Sequence, residues 1–196
     1  MTSTRLGITL GLAAGVVVAM APGARAQLAC GGIVPKGQTV TLTADLGPCD
    51  GGSSDSAVQD GFYVASTSPK NRLTGNTVVS NGDDGFECRG AKNKIEGNTA
   101  NNNAEDGIDL PDALKNKVTG NTATGNLDDG FDVGGTKNKI LGNTATANGQ
   151  YGIVATDRKN KVIGNTATGN IVADIVGECA NKFKDNTFGT GSSCVK

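Results

Sequence analysis

Three short stretches of the chain, DGFEC, DGIDL and DGFDV, place an acid two residues after a glycine: Glu87, Asp109 and Asp132. Each stretch is preceded by a further acid, so that Asp83-Asp84, Glu105-Asp106 and Asp128-Asp129 lead into them. Carboxylates held close together raise one another's pKa unless a cation or a basic side chain neutralises them. Oxygen-rich groups of this kind suit Ca²⁺, which takes about six to eight such ligands. Glu87, Asp109 and Asp132 are therefore the expected metal ligands, and Ca²⁺ is the one cofactor the residues suggest. The Asp before each Gly is ordinary turn chemistry. Arg89 stands beside Glu87, and the chain has no His to tune proton transfer near neutral pH. Arg89, Glu87, Asp109 and Asp132 are the candidates for catalysis, with no role assigned among them.

A second set of charges is basic. Lys70, Lys92, Lys115, Lys137 and Lys159 precede a recurring Asn, and Arg72, Lys94, Lys117, Lys139, Lys161 and Lys182 follow it. Stacked like charges repel by up to about 1 kcal/mol per neighbouring pair before salt screening. Such a face either keeps the molecule solvated or forms a footprint for an anionic polymer. For the second role the expected contacts are Lys94, Lys117, Lys139 and Lys161.

These residues owe their spacing to a repeat of about 22 residues, best seen at 137–147 and 159–170. A fixed period of this size marks stacked units, none of which can bury its apolar face alone. Alternation survives within the unit and a helical period does not, which predicts three short strands per repeat, each pairing with its equivalent one coil on. Four interior columns are expected, headed by Phe62, Leu73, Val64 and Val78. Asn76 to Asn186 and Asn81 to Asn170 are expected to form amide ladders along the stack.

The repeated NxIxGNT and DGI/DGF elements over about 60–187 resemble the right-handed parallel β-helix repeat family of the pectate-lyase-like superfamily. That resemblance implies an all-β solenoid of about six coils. The family holds polysaccharide lyases, hydrolases, epimerases and non-catalytic surface proteins, so fold alone does not assign an activity. In its lyases, acids hold Ca²⁺ against a uronate while an Arg or Lys takes the proton; Arg89 holds the matching place by position. In its hydrolases paired aspartates act as acid and base. Neither motif is intact here.

The first 26 residues read as a secretory signal: Arg5, an apolar run from Leu6 to Ala21, and Ala24-Arg25-Ala26 before the cut. A secreted or periplasmic location follows, with no membrane span. Residues 27–59 are expected to form an N-terminal cap and first strand, 60–178 the repeats, and 179–196 the last coil and cap. Five cysteines in an exported chain suggest disulfides with one left over. Cys30–Cys49 and Cys179–Cys194 would close the two caps, leaving Cys88 as a buried thiol. Thr39 to Ala44 alternate like a covering strand, and Phe183 and Phe188 could plug the opposite end.

Outward threonines such as Thr122, Thr144 and Thr166 form a third array, similar to those of ice-binding β-solenoids, although Val79 and Asn101 interrupt its second column. The expected function is carbohydrate or anionic-polysaccharide binding without catalysis. A Ca²⁺-assisted lyase or related enzyme, and a structural or ice-binding solenoid, are the alternatives. The few aromatics are assigned inward, which leaves no stacking platform for nucleic acid. Oligomeric state is not readable.

Overall fold

The structure, a computed structural model, describes residues 39–40, 60–64 and 66–195. The expected signal segment, most of the N-terminal cap and the Cys30–Cys49 pair lie outside these residues.

Every coil repeats the same sequence of three strands, and each strand pairs in parallel with its equivalent in the next coil. Three sheets result. The acidic sheet runs through Phe62–Val64, Phe86–Cys88, Ile108–Asp109, Phe131–Val133, Tyr151–Ala155 and Ala173–Gly177. The lysine sheet runs from Arg72–Thr74 to Lys182–Lys184, and the threonine sheet from Thr77–Val79 to Thr187–Phe188. Thr39–Val40 adds one more strand to the lysine sheet, pairing with Arg72 and Leu73, as a covering strand at that end should.

The register keeps like residues stacked, so the core is a set of columns. Phe62, Phe86, Ile108, Phe131, Ile153 and Ile175 are all fully buried in one of them. Phe62 and Phe86 stack with ring centroids 5.0 Å apart. On the threonine sheet the interior column is Val78, Ala100, Ala123, Ala145 and Ala167, whose small side chains admit the tight bends beside them. Phe183 and Phe188 pack half-buried against the C-terminal end of the core. Near them Cys179 and Cys194 form a disulfide, and Cys88 is a free, buried thiol.

Bends are made by one device used three times per coil: a residue of positive φ followed by an asparagine. At the second bend that residue is Gly75, Gly97, Gly120, Gly142 or Gly164; at the first it is Lys70, Lys92, Lys115, Lys137 or Lys159. A left-handed conformation costs a residue with a side chain about 1–2 kcal/mol, so something must hold the lysines there. The following Asn does so. Asn116 N–H donates to Asn138 Oδ1 at 2.8 Å, and its amide donates to Gly90 O at 3.0 Å. The Asn71 column, which marks the period in the sequence, is thus also a ladder, joined coil to coil by N–H to Oδ1 bonds without the amide-to-amide bonds of the other two.

The glycine of each DG pair serves a different need, since its φ is not positive and its neighbours are close. A Cβ at Gly107 would lie 2.7 Å from both Gly130 O and Ala123 Cβ, and 2.8 Å from the Asn126 amide nitrogen. Two of these atoms belong to the ladder and the backbone and cannot yield cheaply. Gly107→Ala is expected to cost about 2–3 kcal/mol by overpacking, read as a lower denaturant midpoint at unchanged slope. A midpoint equal to that of the parent would mean the coils can spread at this corner.

Candidate functional site

The acidic sheet and the corner that enters it carry the chemistry. Phe86 and Cys88 flank Glu87 and point inward, yet Glu87 is itself only 3% exposed. It is covered from two sides: Asp60, fully buried, lies against it within hydrogen-bond reach, and Arg89 closes an ion pair over it. Arg89 remains about half exposed. Its hydrogen bond to Glu87 holds the guanidinium more firmly protonated than usual.

Glu87, Asp109 and Asp132 do share one column, since Asp109 is the register partner of both. As a metal-binding set, however, they are not brought together. The carboxylate oxygens of Asp109 and Asp132 gather within 4.8 Å of those of Asp106, from the preceding corner, and Glu87 turns to Arg89 instead. The reason is length and charge: Glu87 reaches a cation that the shorter aspartates do not.

A fourth ladder, missed in the sequence, runs through the Asp of each DG pair. Asp84 N–H donates to Asp60 Oδ1 at 3.2 Å, Asp106 N–H to Asp84 Oδ1 at 2.8 Å, Asp129 N–H to Asp106 Oδ1 at 2.7 Å, and Tyr151 N–H to Asp129 Oδ1 at 2.8 Å. The recurrence of Asp before Gly in successive repeats was its signal, and turn chemistry explained it too readily. One backbone bond per carboxylate does not compensate burial. Burial, reinforced by neighbouring acids, pushes Asp84 and Asp106 up to about 9, Asp109 to about 8 and Asp129 to about 7. Burial and then Asp84 and Glu87 raise Asp60 further, and Asp132 is raised by burial and Asp128.

This arrangement has oxygen donors suited to a hard divalent cation, and Asp132 Oδ1 is buried with no hydrogen-bond partner among the described residues. The residues fit Ca²⁺ as a donor set. A catalytic base is harder to find. Arg89 is held protonated, and burial keeps Asp84, Asp106 and Asp109 protonated near neutrality.

The lysine sheet is simpler. Lys94, Lys117, Lys139 and Lys161 pair in consecutive register, with Arg72 and Lys182 at the ends. Glu96 binds Arg72 at 2.7 Å and Lys117 at 3.2 Å. Leu141 and Ile163 occupy the later equivalents of Glu96, so Lys139 and Lys161 have no acid partner among the described residues. A depression of about 370 Å³ lies elsewhere, lined by Thr156, Asp157, Arg158, Glu178 and Ala180, and none of the candidate residues reaches it.

Residues 54–188 match the family described as right handed beta helix region. The chain belongs to the right-handed β-helix family. A solved structure of the periplasmic alginate epimerase AlgG, a double mutant, superposes with a TM-score of 0.58 at 19% identity. The match covers 68% of this chain and 36% of that one, so the chain spans about a third of that enzyme's length. At this identity the likeness speaks for the β-helix alone. No curated protein sequence matches the chain. No described helix is long and apolar enough to cross a membrane.

Proposed function

We propose that this β-helix binds an anionic carbohydrate polymer along its lysine sheet and does not cleave it. One observation carries the reading: an in-register column of ammonium groups, Lys94, Lys117, Lys139 and Lys161, of which all but Lys117 are exposed and the last two lack acid partners among the described residues. Parallel strands repeat at roughly 4.8 Å, so the column offers a linear polyanion several contacts in one line. Each contact is modest in salt, and their number gives the affinity.

The carbohydrate class is supported by the fold's occurrence in a periplasmic alginate epimerase, and a periplasmic or secreted location is proposed on the same ground together with the apolar N-terminal run. Against catalysis stands the state of Arg89. A general base must be deprotonated near the working pH, and the Glu87 carboxylate moves Arg89 the other way.

Retention on immobilised anionic and neutral polysaccharides, followed as salt is raised, tests the reading. Binding to the anionic polymers is expected, with release of Lys139→Glu/Lys161→Glu at lower salt than the parent protein. Equal retention of both would overturn the lysine site. Unsaturated or reducing-end products that vanish with Arg89→Ala would establish the enzyme instead.

A further inference from the structure

The outward face of the lysine sheet changes character part-way along the stack. One of its columns is cationic throughout, from Arg72 to Lys182. The column two residues on reads Thr74, Glu96, Thr119, Leu141, Ile163 and Lys184. In the first three coils it is polar, and Glu96 neutralises Arg72 and Lys117. In the next two it is aliphatic. Leu141 and Ile163 stack in register and are only half-buried. Beside them Lys139, Lys161 and Lys182 are exposed and take no acid partner among the described residues.

A single exposed aliphatic side chain calls for no explanation. Here two consecutive coils exchange a polar residue for an aliphatic one at the same places where the lysines lose their acid. A face needed only for solubility would keep the acid, or threonine, which suits an exposed strand. The pair is also approachable. The bends that follow it, at Gly142 and Gly164, have no atom within 4 Å of where a Cβ would stand, and Lys184 at the end of the column is paired with Asp185 at 3.0 Å.

We propose that Leu141 and Ile163 are specificity-determining residues of the polymer site, whose occupant is an anionic polysaccharide with short acyl esters on its charged units. This rests on the lysine-sheet reading above and narrows it. Side chains two residues apart on a strand stand roughly 7 Å apart, and the strands repeat at roughly 4.8 Å. A unit whose anion meets Lys139 or Lys161 therefore sets another substituent of the same ring over Leu141 or Ile163. Among the described residues neither outward column holds an aromatic side chain on which a bare ring could stack. A hydroxyl pressed against Leu or Ile would lose its water without a new partner, whereas the methyl of an acyl ester gains by leaving water.

Equilibrium binding of the full chain to one carboxylated, O-acetylated polysaccharide, before and after mild alkaline deacetylation that leaves its charge unchanged, tests the proposal. Burying one methyl group raises affinity roughly fourfold, so two stacked seats should make the parent chain prefer the acetylated form by about tenfold. Leu141→Thr/Ile163→Thr restores the residue type of Thr74 and Thr119. It should erase the preference, keep the affinity for the deacetylated form and melt within about 5 °C of the parent. Thr119→Leu extends the aliphatic column by one coil and should widen the preference by a further factor of roughly four; it decides the matter should the double variant not fold. Equal affinity of the parent for both forms, or a preference that survives in the folded double variant, overturns the inference and leaves the lysine site standing. A parent chain that binds neither form overturns the lysine-sheet reading itself, and this inference with it.

Discussion

Replacing Asn121 by Ala is expected to lower the melting temperature by about 10–15 °C, the largest effect of any single ladder substitution. Asn121 Oδ1 accepts from Asn98 N–H at 2.8 Å and from the Asn98 amide at 3.0 Å, while its own amide donates to Ile95 O at 2.9 Å and Asn143 Oδ1 at 3.0 Å. The side chain is 1% exposed, so water cannot replace what is lost. Each buried group left unpaired costs about 1–3 kcal/mol, and two or three of them approach a sizeable part of a domain's whole stability. Asn121→Asp should be intermediate, since it keeps the acceptor and loses the donors. Thr144→Ala, at a half-exposed strand position, should change stability by only about 0.5 kcal/mol. A drop below about 3 °C for Asn121→Ala would show that the ladder is an ornament of the stack and not its support.

The second large effect is on pH. Asp84, Asp106, Asp109 and Asp129 have folded-state pKa values of about 9, 9, 8 and 7, against an ordinary value of 3.8, with burial the first cause in each. A group raised in the folded state stabilises fully below its unfolded pKa, and that contribution is lost as pH rises through the folded value. Between about pH 4 and pH 9 the cation-free protein should therefore lose stability steadily, with a melting temperature at pH 9 at least about 5 °C below that at pH 5.

Asp174 acts in the opposite sense. Burial would raise it, but hydrogen bonds from Asn170, Gly189 and Thr190 outweigh burial and hold it low. Its stabilisation is present above about pH 4 and is lost as pH falls further, which gives the profile an acid limb. Asp84→Asn/Asp106→Asn keeps the Oδ1 acceptors of the ladder and removes two of the rising groups, so the alkaline slope should flatten. A profile already flat from pH 5 to pH 9 in the presence of chelator would mean that these carboxylates are hydrated and charged.

Much of the stack was legible from residue order because a β-helix writes its contacts into its period. Once Asn76, Asn98, Asn121 and Asn143 recur at one coil's spacing, parallel pairing makes them neighbours, and the same holds for Phe86, Ile108 and Phe131. The lysine column follows by the same rule, whereas the covering strand was read from the alternation of Thr39 to Ala44, of which Thr39–Val40 is described. What the period conveys is which side chains share a column; it does not convey where the atoms at the ends of those side chains point.

That distinction accounts for what the sequence left open at the acidic face. Glu87, Asp109 and Asp132 share a column, but Glu87 turns to Arg89, Asp109 and Asp132 turn to Asp106 from the preceding corner, and Asp83 meets Glu105. Each choice depends on distances between side chains that come from different strands and corners, set by the angle at which a corner delivers its acids to the sheet. Asp60 shows it most plainly: in the sequence it is one more Asp before Gly, whereas in the fold it is wholly buried against Glu87. Residue order determined the coil, its columns and its sorted charges. Only the tertiary structure decided which charges are buried, which are paired and which lack a partner, because burial and pairing are properties of the space between coils, and the repeat specifies only the order along each one.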